Sequence, residues 1–253
     1  MASPGNGRAR TGQAITFDFH NTLAACPEWF ELEVRHLPSA FLSWWSDGGG
    51  HHVASSVPAE ADARYRTLRR DIMEHGNELT AEECLRQVFG DLDIEIPADE
   101  IAEGIDRLMR DAFATVVPVP GAVESVQAIH QSGVAVGIVS SAVYHPFLEW
   151  TIDRFGIRDA IGAVVTSASA GFYKSRPEIY WHAADLLDAI PERMVHVGDS
   201  LRFDVGGAGR AGLGTVWLQR DAAEAPNGEI RPDLTLDTLV AAAPEILALL
   251  RAR

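Results

Sequence analysis

ITFDFHNTL, residues 15–23, is the stretch that decides the fold of this 253-residue chain. Its apolar residues lead up to a carboxylate, Asp18, and a polar turn containing Thr22 follows at once. This pattern predicts a buried β-strand that carries Asp18 at its carboxyl end. Open α/β sheets bind their ligands at the carboxyl ends of the strands, so Asp18 is a candidate nucleophile.

The composition limits the classes of partner. With 47% hydrophobic and 23% charged residues, the chain is typical of a globular protein, either one large domain or a core with a smaller second domain. A formal net charge of −15 argues against binding nucleic acid or an anionic membrane surface, so we expect a small substrate. No apolar run approaches the roughly 20 residues that span a bilayer.

The two cysteines and the N-terminus indicate the compartment. Cys26 and Cys84 lie far apart and in no metal-ligand spacing, which predicts neither a disulfide framework nor a zinc site. Residues 1–13 are small, polar and basic, so we expect a disordered tail and not a secretion signal. We therefore expect a cytoplasmic protein. The sequence leaves its oligomeric state open.

Residues 26 to about 117 have helical patterning, which predicts an inserted helical segment of about 90 residues. Pro38 is expected to break or kink the first arm, and the glycines at 48–50 to end it in a loop. Thr80 with Glu83 has the pattern of a capping box. Further helices are predicted at about 58–75, 80–90 and 97–115.

After Pro118 and Pro120 the chain alternates between apolar strands and amphipathic helices. The strands are predicted at 134–139, 163–166, 194–197 and 215–218, and the helices at 121–131, 144–155 and 177–188. Near-continuous apolar strands separated by helices are typical of a parallel sheet covered on both faces, which places the chain in the α/β class.

Each of these strands runs into a polar cluster. Besides Asp18, the strand ends carry Ser140 with Ser141, then Lys174, then the pair Asp199 and Asp204. Parallel strands bring such groups around one crevice. A carboxylate can attack phosphorus, a hydroxyl and an ammonium can hold phosphate oxygens, and acidic groups can bind Mg²⁺. The set predicts phosphoryl transfer.

Lysine usage points to the same site. Of the 21 basic residues, Lys174 is the single lysine and the others are arginine. The planar guanidinium of arginine cannot replace a compact ammonium charge. A lysine retained by chance on the surface is the alternative interpretation.

Four motifs together resemble the haloacid dehalogenase-like hydrolase superfamily: DFHNT at 18–22, Ser140, Lys174 and GDSLRFD at 198–204. The resemblance implies a Rossmann-like core at 14–25 and 118–253, with an all-helical cap at 26–117. It implies that Asp18 is the nucleophile, that Ser140 and Lys174 bind phosphate, and that Asp199 holds Mg²⁺. Asp204 matches the second acidic position and the backbone carbonyl of His20 a metal ligand. Thr22 and Ser141 are further candidates for phosphate binding.

His20 departs from the family pattern, in which an aspartate at this position protonates the leaving group and then activates water. Since the ordinary pKa of histidine is about 6.5, His20 can replace that acid/base group. A structural or specificity role for the ring is the alternative.

A magnesium-dependent phosphatase of a small anionic metabolite is the favoured function. A dehalogenase of the same superfamily works without magnesium, against which the acidic run at 198–200 argues. A phosphonate hydrolase needs a cap lysine, and the cap has none. A phospho-acceptor signalling module and a catalytically weak binding or regulatory relative remain alternatives.

Three local interpretations also stay open. Asp204 can cap the following helix instead of supporting a metal. Arg66, Arg69 and Arg70 are interpreted as a solvated helix face, with contact to an anionic substrate as the alternative. Trp29 with Cys26 either lines the cleft or packs under the cap.

Overall fold

The computed structural model describes residues 12–49, 51–220 and 230–253. The strands are β1 (Gly12–Phe17), β2 (Ala24–Ala25), β3 (Val117–Pro118), β4 (Ala135–Ser140), β5 (Ala163–Thr166), β6 (Ala189–Gly198), β7 (Gly214–Leu218) and β8 (Leu234–Leu236). The helices are α1 (Pro27–Glu31), α2 (Leu37–Gly49), α3 (Val57–His75), α4 (Ala81–Gly90), α5 (Ala98–Phe113), α6 (Ala122–Gln131), α7 (His145–Arg154), α8 (Ser167–Ala170), α9 (Glu178–Leu186), α10 (Gly206–Arg210) and α11 (Ala243–Arg251).

Six strands form one parallel sheet in the order β5-β4-β1-β6-β7-β8. Along the chain, β4 and then β5 follow on one side of β1, whereas β6, β7 and β8 follow on the other side. The strand order therefore reverses direction beside β1. Ligands of open α/β sheets bind at such a reversal, beyond the carboxyl ends of the strands.

Helices cover both faces of this sheet. Side chains of a strand alternate between faces, so neighbouring residues of β1 enter different clusters. Ile15 packs in the cluster that contains Val126 of α6, whereas Ala14 packs in the cluster that contains Ile179 of α9. The predicted α/β class and Rossmann-like parallel sheet are confirmed.

The helices α1 to α5 lie between two short strands that pair with each other. β2 and β3 form an antiparallel ribbon in which Ala24 faces Pro118 and Ala25 faces Val117. This ribbon joins both ends of the helical segment to the sheet. A π-helical turn at Leu32–His36 connects α1 to α2, and Thr80 begins α4 with the predicted capping box.

Several boundaries differ from those predicted. Gly12 and Gln13 belong to β1 and not to a tail, while residues 1–11 lie outside the described part of the chain. The helix α2 continues through Gly48, and Gly50 also lies outside the described residues. The strand β8 and the helix α11 were not predicted from the sequence. Across the described residues, every helix is too short or too polar to cross a membrane.

Candidate active site

Asp18 follows β1 directly and is held there by the neighbouring strand. Its backbone N–H donates to the carbonyl of Val197 in β6 at 2.8 Å. The chain then turns sharply, because the carbonyl of Phe19 accepts from Leu23 and Ala24 at 2.9 Å and Asn21 takes a left-handed φ of 58°. Asp18 is 8% exposed, and burial raises the pKa of its side chain to about 6. The turn thus presents one buried carboxylate at the sheet edge.

Lys174 reaches the same point from the segment after β5. The helix α8 is one turn long, begins at a capping box on Thr166 and ends at Gly171, whose φ of 77° favours glycine. Three residues later, the ammonium of Lys174 donates to Asp18 Oδ1 and, at 2.7 Å, to Asp204 Oδ1. Burial opposes the charge, but these two carboxylates raise the pKa of Lys174 to about 12. The lysine is therefore an ammonium shared between two acids.

Asp204 is bound on both carboxylate oxygens. Besides Lys174, Oδ1 lies 3.1 Å from His196 Nε2, and Oδ2 accepts the backbone N–H of Ser200 at 2.8 Å. His196 Nδ1 lies in turn 2.9 Å from the hydroxyl of Thr16. Burial alone would raise the pKa of Asp204, but Lys174 and His196 hold it well below its usual range. A buried polar chain from Thr16 thus fixes the position of Lys174.

Glycine at 198 is required for this packing. A Cβ on Gly198 would lie 2.2 Å from Cγ of Asp204. The turn that follows is fixed by Ser200, whose Oγ accepts the N–H of Phe203 at 3.2 Å. The sequence GDS is therefore explained by close approach at Gly198 and by capping at Ser200.

Asp199 completes an acidic cluster that has the character of a cation site. Oxygen atoms of Asp18, Asp199 and Asp204 lie within 4.8 Å of one another. Burial, followed by repulsion from Asp18 and Asp204, raises the pKa of Asp199 to about 8. The single positive charge of Lys174 cannot neutralise all three carboxylates in their ionised form. Carboxylate oxygens are hard donors, so the cluster fits Mg²⁺.

The three hydroxyl residues take different positions. Ser140, 3% exposed, ends β4, and it lines the cavity at the sheet edge together with Ser141. The hydroxyl of Ser141 accepts the backbone N–H of Lys174 at 3.4 Å, which ties the second motif to the third. Thr22 is buried and donates to Asp18 Oδ2 at 3.4 Å, so it contacts the candidate nucleophile.

His20 lines the same cavity and is packed among aromatic side chains. Its ring stacks on Phe30 with a centroid distance of 4.3 Å and an interplanar angle of 4°, and its Nδ1 lies 3.3 Å from Cys26 Sγ. Burial lowers the pKa of His20 to about 4. The neutral imidazole is therefore the dominant form at neutral pH.

The helical segment supplies the opposite wall of a cavity of about 380 Å³. Glu33, on the π-helical turn, accepts the backbone N–H of Val143 just after the two serines, and burial raises its pKa to about 8. Arg69 of α3 binds Glu78 through two hydrogen bonds of 2.5 and 3.2 Å. Arg69 and Glu78 are both buried. Glu33 and Arg69 line the cavity together with Trp29.

The structure brings seven of the eight candidate site residues to one cavity, and the eighth, Thr22, is fully buried beside Asp18 and does not line the cavity. Asp18, His20, Ser140, Ser141, Lys174, Asp199 and Asp204 all line it. Arg66, Arg69 and Arg70 were interpreted as a solvated helix face, and this interpretation is wrong for Arg69, which is 4% exposed. His196, Thr16 and Glu33 were missed. The spacing of Tyr65, Arg69 and Ile72 on one helix face was an available signal for Arg69.

Comparison with known proteins agrees with this geometry. The family model of haloacid dehalogenase-like hydrolases matches residues 13–212 of the chain. The match runs from β1 to just beyond α10, and it therefore includes the helical segment and the four strand ends that form the cavity but not β7 and β8.

Individual relatives match over most of their length. A glyceraldehyde 3-phosphate phosphatase of Methanopyrus kandleri is 30% identical over 230 residues, which cover 89% of this chain and 93% of the relative. One with the same name from Methanothermobacter thermautotrophicus is 26% identical, with 93% and 99% covered. Among solved structures, a 2-haloacid dehalogenase of Pseudomonas syringae superposes with a TM-score of 0.68 at 19% identity, covering 94% and 99%. The last similarity describes the fold alone.

Proposed function

The chain belongs to the haloacid dehalogenase-like hydrolase family, and we propose that it is a magnesium-dependent phosphatase of a small phosphorylated metabolite. The observation that carries the proposal is the ammonium of Lys174, which donates to Asp18 at the edge of the acidic cluster. Relatives named glyceraldehyde 3-phosphate phosphatase make a three-carbon phosphate the first candidate substrate.

The proposed reaction has two steps that begin and end at Asp18. A carboxylate oxygen of Asp18 attacks phosphorus, the ester P–O bond breaks, and the leaving alkoxide takes up a proton. Water then attacks the aspartyl phosphate, inorganic phosphate departs and the carboxylate is restored. Burial raises the pKa of Asp18 and the charge of Lys174 opposes that rise, so the carboxylate form at neutral pH depends on a cation beside it. Lys174 is such a cation.

The acidic cluster is the proposed magnesium site. Asp18, Asp199 and the backbone carbonyl of His20 would hold Mg²⁺, which when bound neutralises charge on the phosphoryl group. Asp204 lies in the same cluster, but both of its oxygens already accept hydrogen bonds. We therefore assign Asp204 first to positioning Lys174, and support of the metal remains its predicted second role.

The hydroxyl side chains and Lys174 form the proposed phosphate cradle. Ser140 and Ser141 line the cavity beside Lys174, and positively polarised hydrogen atoms there stabilise charge on phosphate oxygens. Thr22 orients the nucleophile through its contact with Asp18 Oδ2. His20 is the proposed proton donor and acceptor, and its low pKa makes it a weak donor at neutral pH.

The remaining parts of the proposal concern organisation and location. We assign residues 14–25 and 118–253 to a catalytic core and 26–117 to a helical cap, supported by the β2–β3 ribbon that joins them. Cys26 and Cys84 are free thiols, which supports a cytoplasmic location. The substrate is small and anionic, while the net charge of −15 disfavours nucleic acid.

Phosphate release with a panel of phosphorylated metabolites tests the proposal. The wild-type protein should hydrolyse 4-nitrophenyl phosphate and at least one metabolite with Mg²⁺ and lose this activity in EDTA. Asp18→Asn should abolish turnover, whereas Asp47→Asn, an exposed carboxylate on α2, should leave it unchanged. Equal phosphate release from wild type and Asp18→Asn across the panel would remove the main support for a phosphatase.

His20 favours one second candidate, a catalytically weak member of the family with a binding or regulatory role. Its ring stacks on Phe30 and is neutral at ordinary pH, so proton transfer at this position is poor. A protein of this kind, or a phospho-acceptor module, would bind phosphate or accept one phosphoryl group without turnover. Multiple turnovers in the same assay exclude both.

A further inference from the structure

The substrate cavity contains two cations, and both are bound by carboxylates of the protein. Among the described residues that line it, these are Lys174 and Arg69. Lys174 lies on the core side between Asp18 and Asp204. Only Arg69 lies on the side of the helical segment, where the part of the substrate beyond the phosphate would be placed.

The positive charge of Arg69 is already paired with a carboxylate of the protein, so it is not free to bind a ligand. Its two terminal nitrogens bind the two oxygens of Glu78 at 2.5 and 3.2 Å, and the two side chains are 5% and 0% exposed. Removing one partner of such a buried pair leaves the other charge uncompensated, which costs several kcal/mol. A substrate anion would have to displace Glu78 in order to use this guanidinium.

Glu33 adds an acidic group to the same wall. It is 2% exposed, lines the cavity and is held by the backbone N–H of Val143. In its ionised form Glu33 repels a second anion, and in its protonated form it offers a hydrogen bond but no positive charge. The nearby Arg220 donates to the carbonyl of Asn21 at 2.9 and 2.6 Å and lies outside the lining.

From this arrangement we infer that the substrate is a phosphate monoester with a small, neutral leaving group that carries hydroxyl or carbonyl oxygens and no second anionic group. The inference rests on the proposed phosphatase function. A buried second anion without a cation partner would bear the full cost of its desolvation. The volume of about 380 Å³ lies at the small end of ligand cavities, which fits a leaving group of a few carbons.

A matched series of three-carbon phosphates tests the inference on the wild-type enzyme. Glyceraldehyde 3-phosphate, glycerol 3-phosphate and 3-phosphoglycerate differ at one terminal carbon, which is an aldehyde, an alcohol or a carboxylate. With Mg²⁺ present, kcat/KM for the two neutral leaving groups should exceed that for the carboxylate by at least roughly tenfold. Equal values, or a preference for 3-phosphoglycerate, would overturn the inference while leaving the phosphatase intact.

Met73 allows the charge of the cavity wall to be changed. It lines the cavity one helical turn after Arg69 and is only partly buried. Met73→Lys should shift the ratio towards 3-phosphoglycerate by roughly tenfold, whereas the uncharged Met73→Gln should not. A ratio that stays unchanged in Met73→Lys would contradict the inference. Failure of the wild type to release phosphate from any ester, as in Asp18→Asn, would remove the proposed function and this inference with it.

Discussion

The ammonium of Lys174 lies 2.7 Å from Oδ1 of Asp204, and the same ammonium also donates to Asp18. Lys174, the single lysine of the chain, therefore binds Asp204 and Asp18 at the same time. Because His196 lies 3.1 Å from the same oxygen of Asp204, the position of the ammonium depends on a buried chain that leads away from the cavity. Asp18, the proposed nucleophile, is therefore positioned through Lys174 and Asp204 by the buried side chain of His196.

Lys174→Arg should reduce kcat by roughly a hundredfold or more, although the charge is conserved. A guanidinium is planar and larger than an ammonium, so it cannot donate to both Asp18 and Asp204 from the same point. Steady-state phosphate release measures the effect. Arg66→Lys on the exposed face of α3 is the matched control and should retain full activity. Turnover near the wild-type level in Lys174→Arg would show that a diffuse positive charge is sufficient.

Gly198→Ala should destabilise the protein by about 1–3 kcal/mol and reduce activity as well. The added Cβ would lie 2.2 Å from Cγ of Asp204, so that the carboxylate must move and Lys174 with it. Urea unfolding gives the free energy of unfolding. In contrast, nothing lies within 4 Å of a Cβ at Gly209, so Gly209→Ala should be neutral or stabilising. If the two variants unfold alike, the close packing at Gly198 is not limiting.

The sequence predicted the strand ends well because apolar runs and polar clusters are local signals. Asp18, Ser140, Lys174 and Asp199 follow such runs, and a parallel sheet necessarily gathers them at one edge. The strand β8 was missed because it is only three residues long, Leu234–Leu236, and one of these is exposed. A run so short has no measurable periodicity.

Local patterns indicated the cavity wall formed by the helical segment only in part. Helical spacing places Arg69, and not Arg66 or Arg70, on the apolar face of α3, but it does not identify the group that pairs with the buried charge. Glu78, nine residues after Arg69, is that partner. Glu33 likewise meets Val143, which is 110 residues away in the chain. Such side-chain pairs depend on how the elements pack, whereas the positions of the strand-end residues follow from the path of the backbone through the parallel sheet.

Without metal, the protein should lose thermal stability as the pH rises from about 6 to about 8, and these groups should cause little further loss above that pH. Folding raises the pKa of Asp199 to about 8, so the folded state retains a proton that the unfolded state has already released. Stability from this group is present at low pH and is lost progressively until the pH reaches about 8. Glu33, with a pKa raised to about 8, contributes in the same direction.

Thermal melts at several pH values, in EDTA and in excess Mg²⁺, measure this loss. Mg²⁺ should offset most of the decline because it binds the ionised carboxylates, and its stabilising effect should grow with pH. Asp199→Asn should remove the Asp199 part of the metal-free decline, leaving the part caused by Glu33, and should remove the response to Mg²⁺, whereas Asp47→Asn should change neither. A response to Mg²⁺ that survives in Asp199→Asn would place the cation elsewhere.

His20→Asp should increase turnover of alkyl phosphates by at least roughly tenfold relative to the wild type. Burial lowers the pKa of His20 to about 4, so at neutral pH the ring is almost entirely neutral imidazole, whose remaining N–H is too weakly acidic to protonate a leaving alkoxide efficiently. An aspartate restores the group that the family usually has at this position. The gain should be large for glycerol 3-phosphate and small for 4-nitrophenyl phosphate, because nitrophenolate departs without protonation.

His20→Asn is the matched control, since it has the size of aspartate but cannot transfer a proton. It should show no gain on either substrate, although it loses the same stacking on Phe30. The ratio of kcat for the alkyl and aryl esters then separates proton transfer from packing. If His20→Asp and His20→Asn are equally impaired relative to the wild type, the histidine is itself the competent acid/base, and its environment in the Michaelis complex must raise its pKa towards neutrality.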